Sequence, residues 1–112
     1  MGDLFSKDQI LEMIGHDQNE LKILIEMFID LCPKMLDEID FSIAKGDFKT
    51  AGDVAHKLKS SVRLWDISEV VDDVIFLEIN GKNLTNTEIL ASKAMVVRNV
   101  LEKVLKQMKE EI

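Results

Sequence analysis

Proline is nearly absent from this chain, tyrosine is missing altogether, and cysteine occurs once. A single proline leaves long stretches free to stay helical, and alternating β-branched runs are too few to suggest sheet. The lone thiol, Cys32, excludes an internal disulfide, and its apolar surroundings predict a buried, reduced side chain in a cytoplasmic protein. No uninterrupted apolar run approaches the roughly 20 residues of a membrane span. Met1-Gly2-Asp3 opens no signal-peptide pattern. No glycine-rich loop is present to cradle nucleotide phosphates, so the chain has no recognisable means of phosphorylating itself from ATP. No second histidine or cysteine stands at ligand spacing from His56, and no Ser–His–Asp order is evident, so metal and hydrolytic chemistry lack support.

What is present fits one helical domain spanning residues 1–112. Hydrophobic residues make up 46% of the chain, enough to fill a single core at this length. The formal net charge of -7 argues against nucleic acid as a partner, because a run of phosphates would go unneutralised. Ser6-Lys7-Asp8-Gln9 has the form of a capping box opening a short helix, Asp8 to Ile14, closed by Gly15. A second helix is predicted from after Asp17 to about Lys45. Its stripe is Leu21, Leu24, Ile25, Phe28, Ile29, Cys32, Met35, Leu36, Ile39 and Ile43, and Pro33 inside it should bend or split it. Gly46-Asp47 ends this helix and caps a third, Phe48 to about Trp65, with the stripe Phe48, Ala51, Ala55, Leu58, Val62 and Trp65. Asp66-Ile67-Ser68-Glu69 reads as a capping box for a fourth helix to about Asn80, and Asn80-Gly81-Lys82-Asn83 as its stop. Thr85-Asn86-Thr87-Glu88 starts a final helix that runs towards the C-terminus. The expected architecture is all-α, an antiparallel four-helix bundle with a short extra N-terminal helix. Trp65 and the six methionines are expected in the core, and His16 in a capping or surface role.

The third helix carries an unusual face. Lys49, Gly52, Lys59, Ser60 and Arg63 all lie within roughly 60° of His56 at 100° per residue. That face is cationic and small-sided, and the apolar stripe of the helix lies mostly on its other side. In an acidic chain such a patch is a local arrangement, large enough for one phosphoryl group. A neutral imidazole among cations, with room for another molecule to approach, suits a histidine that accepts and releases phosphate.

These residues also carry a resemblance. Ala55-His56-Lys57-Leu58-Lys59-Ser60-Ser61, with Phe28-Ile29-Asp30-Leu31-Cys32-Pro33 and Ala44-Lys45-Gly46-Asp47-Phe48, resembles the histidine-containing phosphotransfer (HPt) domains of two-component phosphorelays. The resemblance covers most of the chain, from about Gly15 to the last helix. It implies a phosphorelay carrier, with His56 passing a phosphoryl group between aspartates of receiver domains in response regulators or hybrid histidine kinases. It implies Lys59 as the cation that neutralises phosphoryl oxygens. It also implies Glu78, 22 residues after His56, as the group that holds the imidazole tautomer. Such a carrier is not a stand-alone enzyme and has no cofactor of its own; Mg²⁺ is expected on the receiver's carboxylates. Ser60, Arg63 and Asp66 stand where the family usually has glycine. Phe41 falls off the stripe of its helix and is expected, with Gly52, Ser60, Arg63 and Lys49, on the partner surface. A monomer is expected, since transfer needs the His56 face open.

Two other readings compete. Val70-Val71-Asp72-Asp73-Val74-Ile75 superficially resembles the acidic pair of a receiver, but the chain is too short and too helical for a βα alternation. A non-catalytic helical adaptor, which binds receivers or other partners without taking up phosphate, is the serious alternative.

Overall fold

The computed structural model describes residues 3–112, so the reading of Met1 and Gly2 lies outside the described residues. Five α-helices follow in order: α1 (Asp8–Ile14), α2 (Gln18–Ala44), α3 (Phe48–Leu64), α4 (Ser68–Asn83) and α5 (Leu90–Glu110). A 3-10 turn, Thr87–Ile89, leads into α5, and no strand occurs among the described residues. The four long helices pack in a ring, α2 on α3, α3 on α4, α4 on α5 and α5 back on α2. Short links between neighbours make consecutive helices antiparallel. The result is an all-helical bundle with α1 attached to α2.

The caps explain most boundaries. Asp17 accepts hydrogen bonds from the Asn19 and Glu20 amides and opens α2. At the end of α2, Gly46 takes φ +77° while its own N–H donates to Ile43 O and the Asp47 N–H to Ser42 O. That pair of bonds is a Schellman closure, and only glycine takes its left-handed position without steric penalty. Asp47 then caps α3. Its carboxylate accepts from the Thr50 amide at 3.3 Å and the Thr50 hydroxyl at 2.7 Å, which holds it below the usual carboxylate range.

Four local expectations are corrected. α2 runs unbroken through Pro33, so the proline does not split it. The Asp66-Ile67-Ser68-Glu69 capping box does not form, since Ile67 occupies the cap position without a side-chain bond. Instead Asp66 adopts φ +53°, its N–H donates to Arg63 O, and Ile67 N–H donates to Val62 O. This is the closure of α3, with Ile67 fully buried as its apolar contact. α4 continues past Asn80-Gly81 to Asn83 and stops at Leu84, which is left-handed at φ +55°. The Ser6 box is also unformed: Ser6 Oγ accepts only from the Asp8 amide, and α1 starts without a side-chain cap.

The core follows the stripes. Ile25, Cys32, Leu36 and Ile39 of α2 meet Ala55, Leu58 and Val62 of α3, with Val70, Val74 and Leu77 of α4 and Val97, Leu101 and Val104 of α5. Trp65 is buried, edge-on to Phe5 at 6.2 Å and tilted on Phe28 at 6.1 Å. Phe5 belongs to an N-terminal strap tied down by Ser6 N–H to Trp65 O, Leu4 N–H to Gln107 Oε1 and an ion pair from Lys7 to Glu111. Arg98 of α5 clamps α2 by donating to Asp37 at 2.8 Å and to Asp40 at 2.9 Å. The methionines do not all fill the core: Met108 is buried, whereas Met13, Met27 and Met95 are exposed. They stand on helix faces that no neighbouring helix covers.

Candidate functional site

His56 projects from the middle of α3 with a side chain 56% exposed, and α4 passes beside it. From α4, Glu78 reaches the ring, placing its Oε2 2.5 Å from His56 Nδ1. Glu78 is one of two buried polar residues in the molecule's described part, and it is fully engaged. Lys59, one turn after His56, donates from Nζ to Glu78 Oε1 at 2.7 Å. Lys82, one turn after Glu78 on its own helix, places Nζ 3.5 Å from Oε2. One carboxylate therefore gathers an imidazole and two ammonium groups.

The electrostatics of Glu78 decide which ring nitrogen faces it with a proton. Hydrogen bonding from Lys59 outweighs the cost of burial, and with the His56 bond it lowers the Glu78 carboxyl to about 2. At neutral pH the carboxylate is therefore ionised and can only accept, so the proton of the shared bond belongs on Nδ1. In the neutral imidazole, Nε2 then keeps its lone pair. The arrangement presents an exposed nucleophilic nitrogen on a ring oriented from behind by a buried anion.

A groove of about 330 Å³ runs alongside, lined by Lys59, Arg63, Ile75, Glu78, Ile79, Lys82 and Asn83. Three cations face one carboxylate there, the reverse of the chain's overall charge of -7. Such a groove favours anionic groups close to the imidazole. No group of His, Cys, Asp or Glu among the described residues is placed to hold a metal ion. No helix among them is long and apolar enough to cross a membrane.

The residues singled out in sequence divide into three sets. His56, Lys59 and Glu78 come together as one hydrogen-bonded cluster. Ser60, Arg63 and Lys49 are exposed on the same helix, and Arg63 lines the groove. Gly52 is not on the open surface: it is buried against α4, where a Cβ would lie 2.9 Å from Lys82 N and 3.0 Å from Glu78 O. Phe41 is 66% exposed, with Lys45 Nζ over its ring at 4.9 Å.

Two features escaped the sequence reading. Lys82 was assigned to a turn because Asn80-Gly81 looks like a stop; its spacing of four from Glu78 was the available signal. The second is an apolar strip on α2, where Met27 and Leu31 stand half exposed beside a hollow of about 130 Å³ shared with Ser61 and Leu64 of α3. No family model, curated protein or solved structure matches the chain.

Proposed function

We propose that the chain is a histidine phosphotransfer protein of a two-component phosphorelay, with His56 as the phosphoryl acceptor. The observation that carries this reading is the Nδ1 contact of an exposed imidazole with buried, ionised Glu78. In the step proposed, Nε2 attacks the phosphorus of a receiver's aspartyl phosphate. The N–P bond forms as the P–O bond to the aspartyl carboxylate breaks, and the carboxylate leaves with the electron pair. Nδ1 keeps its proton throughout, so the phosphorylated ring carries positive charge beside the Glu78 carboxylate. Transfer onward to a second aspartate reverses the same bond changes, and the retained proton means that no general base is needed.

Lys59 has two tasks in this reading: it fixes Glu78, and it lies near the space where phosphoryl oxygens would gather. In a loose phosphoryl-transfer transition state, positioning and charge neutralisation supply most of the catalysis. Arg63 extends the cationic surface toward the partner, where its guanidinium fits a carboxylate or phosphoryl oxygen. The exposed apolar residues Met27, Leu31 and Phe41 supply the kind of contact area that a receiver needs for docking. Mg²⁺ belongs to the receiver's acidic site in this scheme. The four-helix ring and its antiparallel links are compatible with the HPt architecture.

The test is phosphoryl uptake from a phosphorylated receiver, and from phosphoramidate, by wild type and His56→Gln. A label that is acid-labile and base-stable, present only in wild type, is the expected result. A folded wild type that takes no label from several receivers, yet binds them equally well after His56→Gln, is a helical adaptor instead.

A further inference from the structure

The two helices that carry the cluster touch through glycine. A Cβ on Gly81 would lie 2.6 Å from Phe48 O and 3.0 Å from Gly52 Cα. A Cβ on Gly52 would fall 2.9 Å from Lys82 N and 3.0 Å from Glu78 O. The backbones of α3 and α4 thus meet with no side chain between them. Gly52 abuts the backbone of the same residues, Glu78 and Lys82, whose side chains gather at His56.

This contact lies one helical turn from both partners of the key hydrogen bond. Gly52 precedes His56 by four residues, and Gly81 follows Glu78 by three. The reach of the two sides differs. Nδ1 is the ring nitrogen nearest the backbone, so the imidazole cannot extend to follow a retreating helix. Lys59 has a four-carbon stem and can. Ordinary van der Waals contact begins at 3.4 Å, so a methyl group at Gly52 would drive α4 back by roughly half an ångström, and one at Gly81 by more. That retreat would fall on the His56–Glu78 bond first and on the Lys59–Glu78 bond least.

We propose that Gly52 and Gly81 are positioning residues: their side-chain-free contact sets how close Glu78 stands to His56, and through it the imidazole tautomer. Their effect on transfer rests on the phosphocarrier reading above; their effect on the ring does not.

The experiment measures the imidazole nitrogen shifts of His56 by ¹⁵N NMR, and the phosphorylation rate with phosphoramidate, across a set of variants. Gly52→Ala is expected to move the ring from the Nδ1–H form toward the tautomer mixture of free imidazole, and to slow phosphorylation about tenfold. Val97→Ala, a core change on α5 that lowers stability without touching the crossing, should leave the tautomer and the rate as in wild type. In a Glu78→Ala background, Gly52→Ala should change the rate less than twofold, because the group it displaces is already gone. If Gly52→Ala does not fold, Glu78→Asp serves instead: it withdraws the carboxylate by one methylene with the glycines intact and should release the Nδ1 proton.

A wild-type tautomer in Gly52→Ala, or in Glu78→Asp, overturns the proposal. So does an undiminished Gly52→Ala rate effect without Glu78. If wild type takes up no phosphoryl group while Gly52→Ala still frees Nδ1–H, the carrier reading fails and the positioning role stands. If wild type is labelled and Gly52→Ala keeps both the tautomer and the rate, the positioning role fails and the carrier reading stands.

Discussion

Replacing Glu78 by glutamine tests the electrostatics of the cluster, since the amide is nearly the same size and can still accept from Nδ1–H. What is lost is the charge and one of the two acceptor oxygens. Lys59, with a side chain only 20% exposed, then faces an NH2 group that cannot accept from it, and the bond to His56 loses its charge-assisted character. A hydrogen bond to a charged group is worth roughly 1.5–3 kcal/mol and charge assistance roughly 1 kcal/mol, so Glu78→Gln should cost about 3 kcal/mol at pH 7. The pH dependence gives the sharper test. The folded-state carboxyl is lowered from its usual 4.5 to about 2, so wild type binds fewer protons folded than unfolded between those limits. The advantage of wild type over Glu78→Gln is therefore full above about pH 4.5 and disappears as pH falls towards 2. Urea unfolding followed by the fluorescence of Trp65, the single tryptophan and a buried one, reads this directly. A stability difference that stays constant from pH 7 to pH 2, or a variant as stable as wild type at pH 7, would refute the electrostatic account.

Other consequences can be checked separately. Burial pushes the Cys32 thiol up to about 12, so a thiol reagent at pH 8 should modify the native protein only at its opening rate; prompt labelling without denaturant would contradict its packing. Asp66 holds a left-handed φ of +53°, and Asp66→Gly should stabilise the fold by about 0.5–1 kcal/mol, raising Tm by about 4 °C in calorimetry, whereas a lower Tm would point to a role for the carboxylate. Phe41→Ala should weaken association with a receiver while circular dichroism stays unchanged; unaltered affinity removes Phe41 from the interface. Lys59→Ala should slow phosphoryl transfer more than it weakens docking, and an equal loss in both would reduce Lys59 to electrostatic steering.

Much of the helical framework was legible because burial along one helix is a property of that helix alone. The three- and four-residue spacings of α2 and α3 named Ile25, Cys32, Leu58 and Val62 as core, and these residues are buried. The boundaries that failed involve a competitor that the local pattern does not contain. Asn80-Gly81 reads as a stop because glycine costs a helix interior about 1 kcal/mol relative to alanine. In the fold that cost is offset where Gly81 lies against Gly52 and Phe48, so α4 carries on to Asn83. Asp66-Ile67-Ser68-Glu69 reads as an N-terminal box, yet Ile67 is fully buried and its amide closes the helix before it. Packing of one apolar side chain decided which of two helix ends claimed the segment.

The site was legible to a different degree. A helical wheel collects His56, Lys59 and Arg63, because residues on one helix share a face whatever that helix packs against. It cannot say which residue of the next helix comes opposite, since that depends on the depth and angle of the crossing. Glu78 was named through resemblance, and Lys82 was missed with the turn of α4 that holds it. The same reasoning explains the misplacement of Gly52. On the wheel it shares the azimuth of His56 and looks like open surface, but α4 covers that azimuth at Gly52 and leaves it uncovered at His56. Helices that cross at an angle, unlike strictly parallel ones, bury one end of a face and open the other. A cationic face that is sealed at Gly52 and open at His56 thus gives the imidazole both what a phosphoryl acceptor requires: a buried anion behind the ring and free approach in front of it.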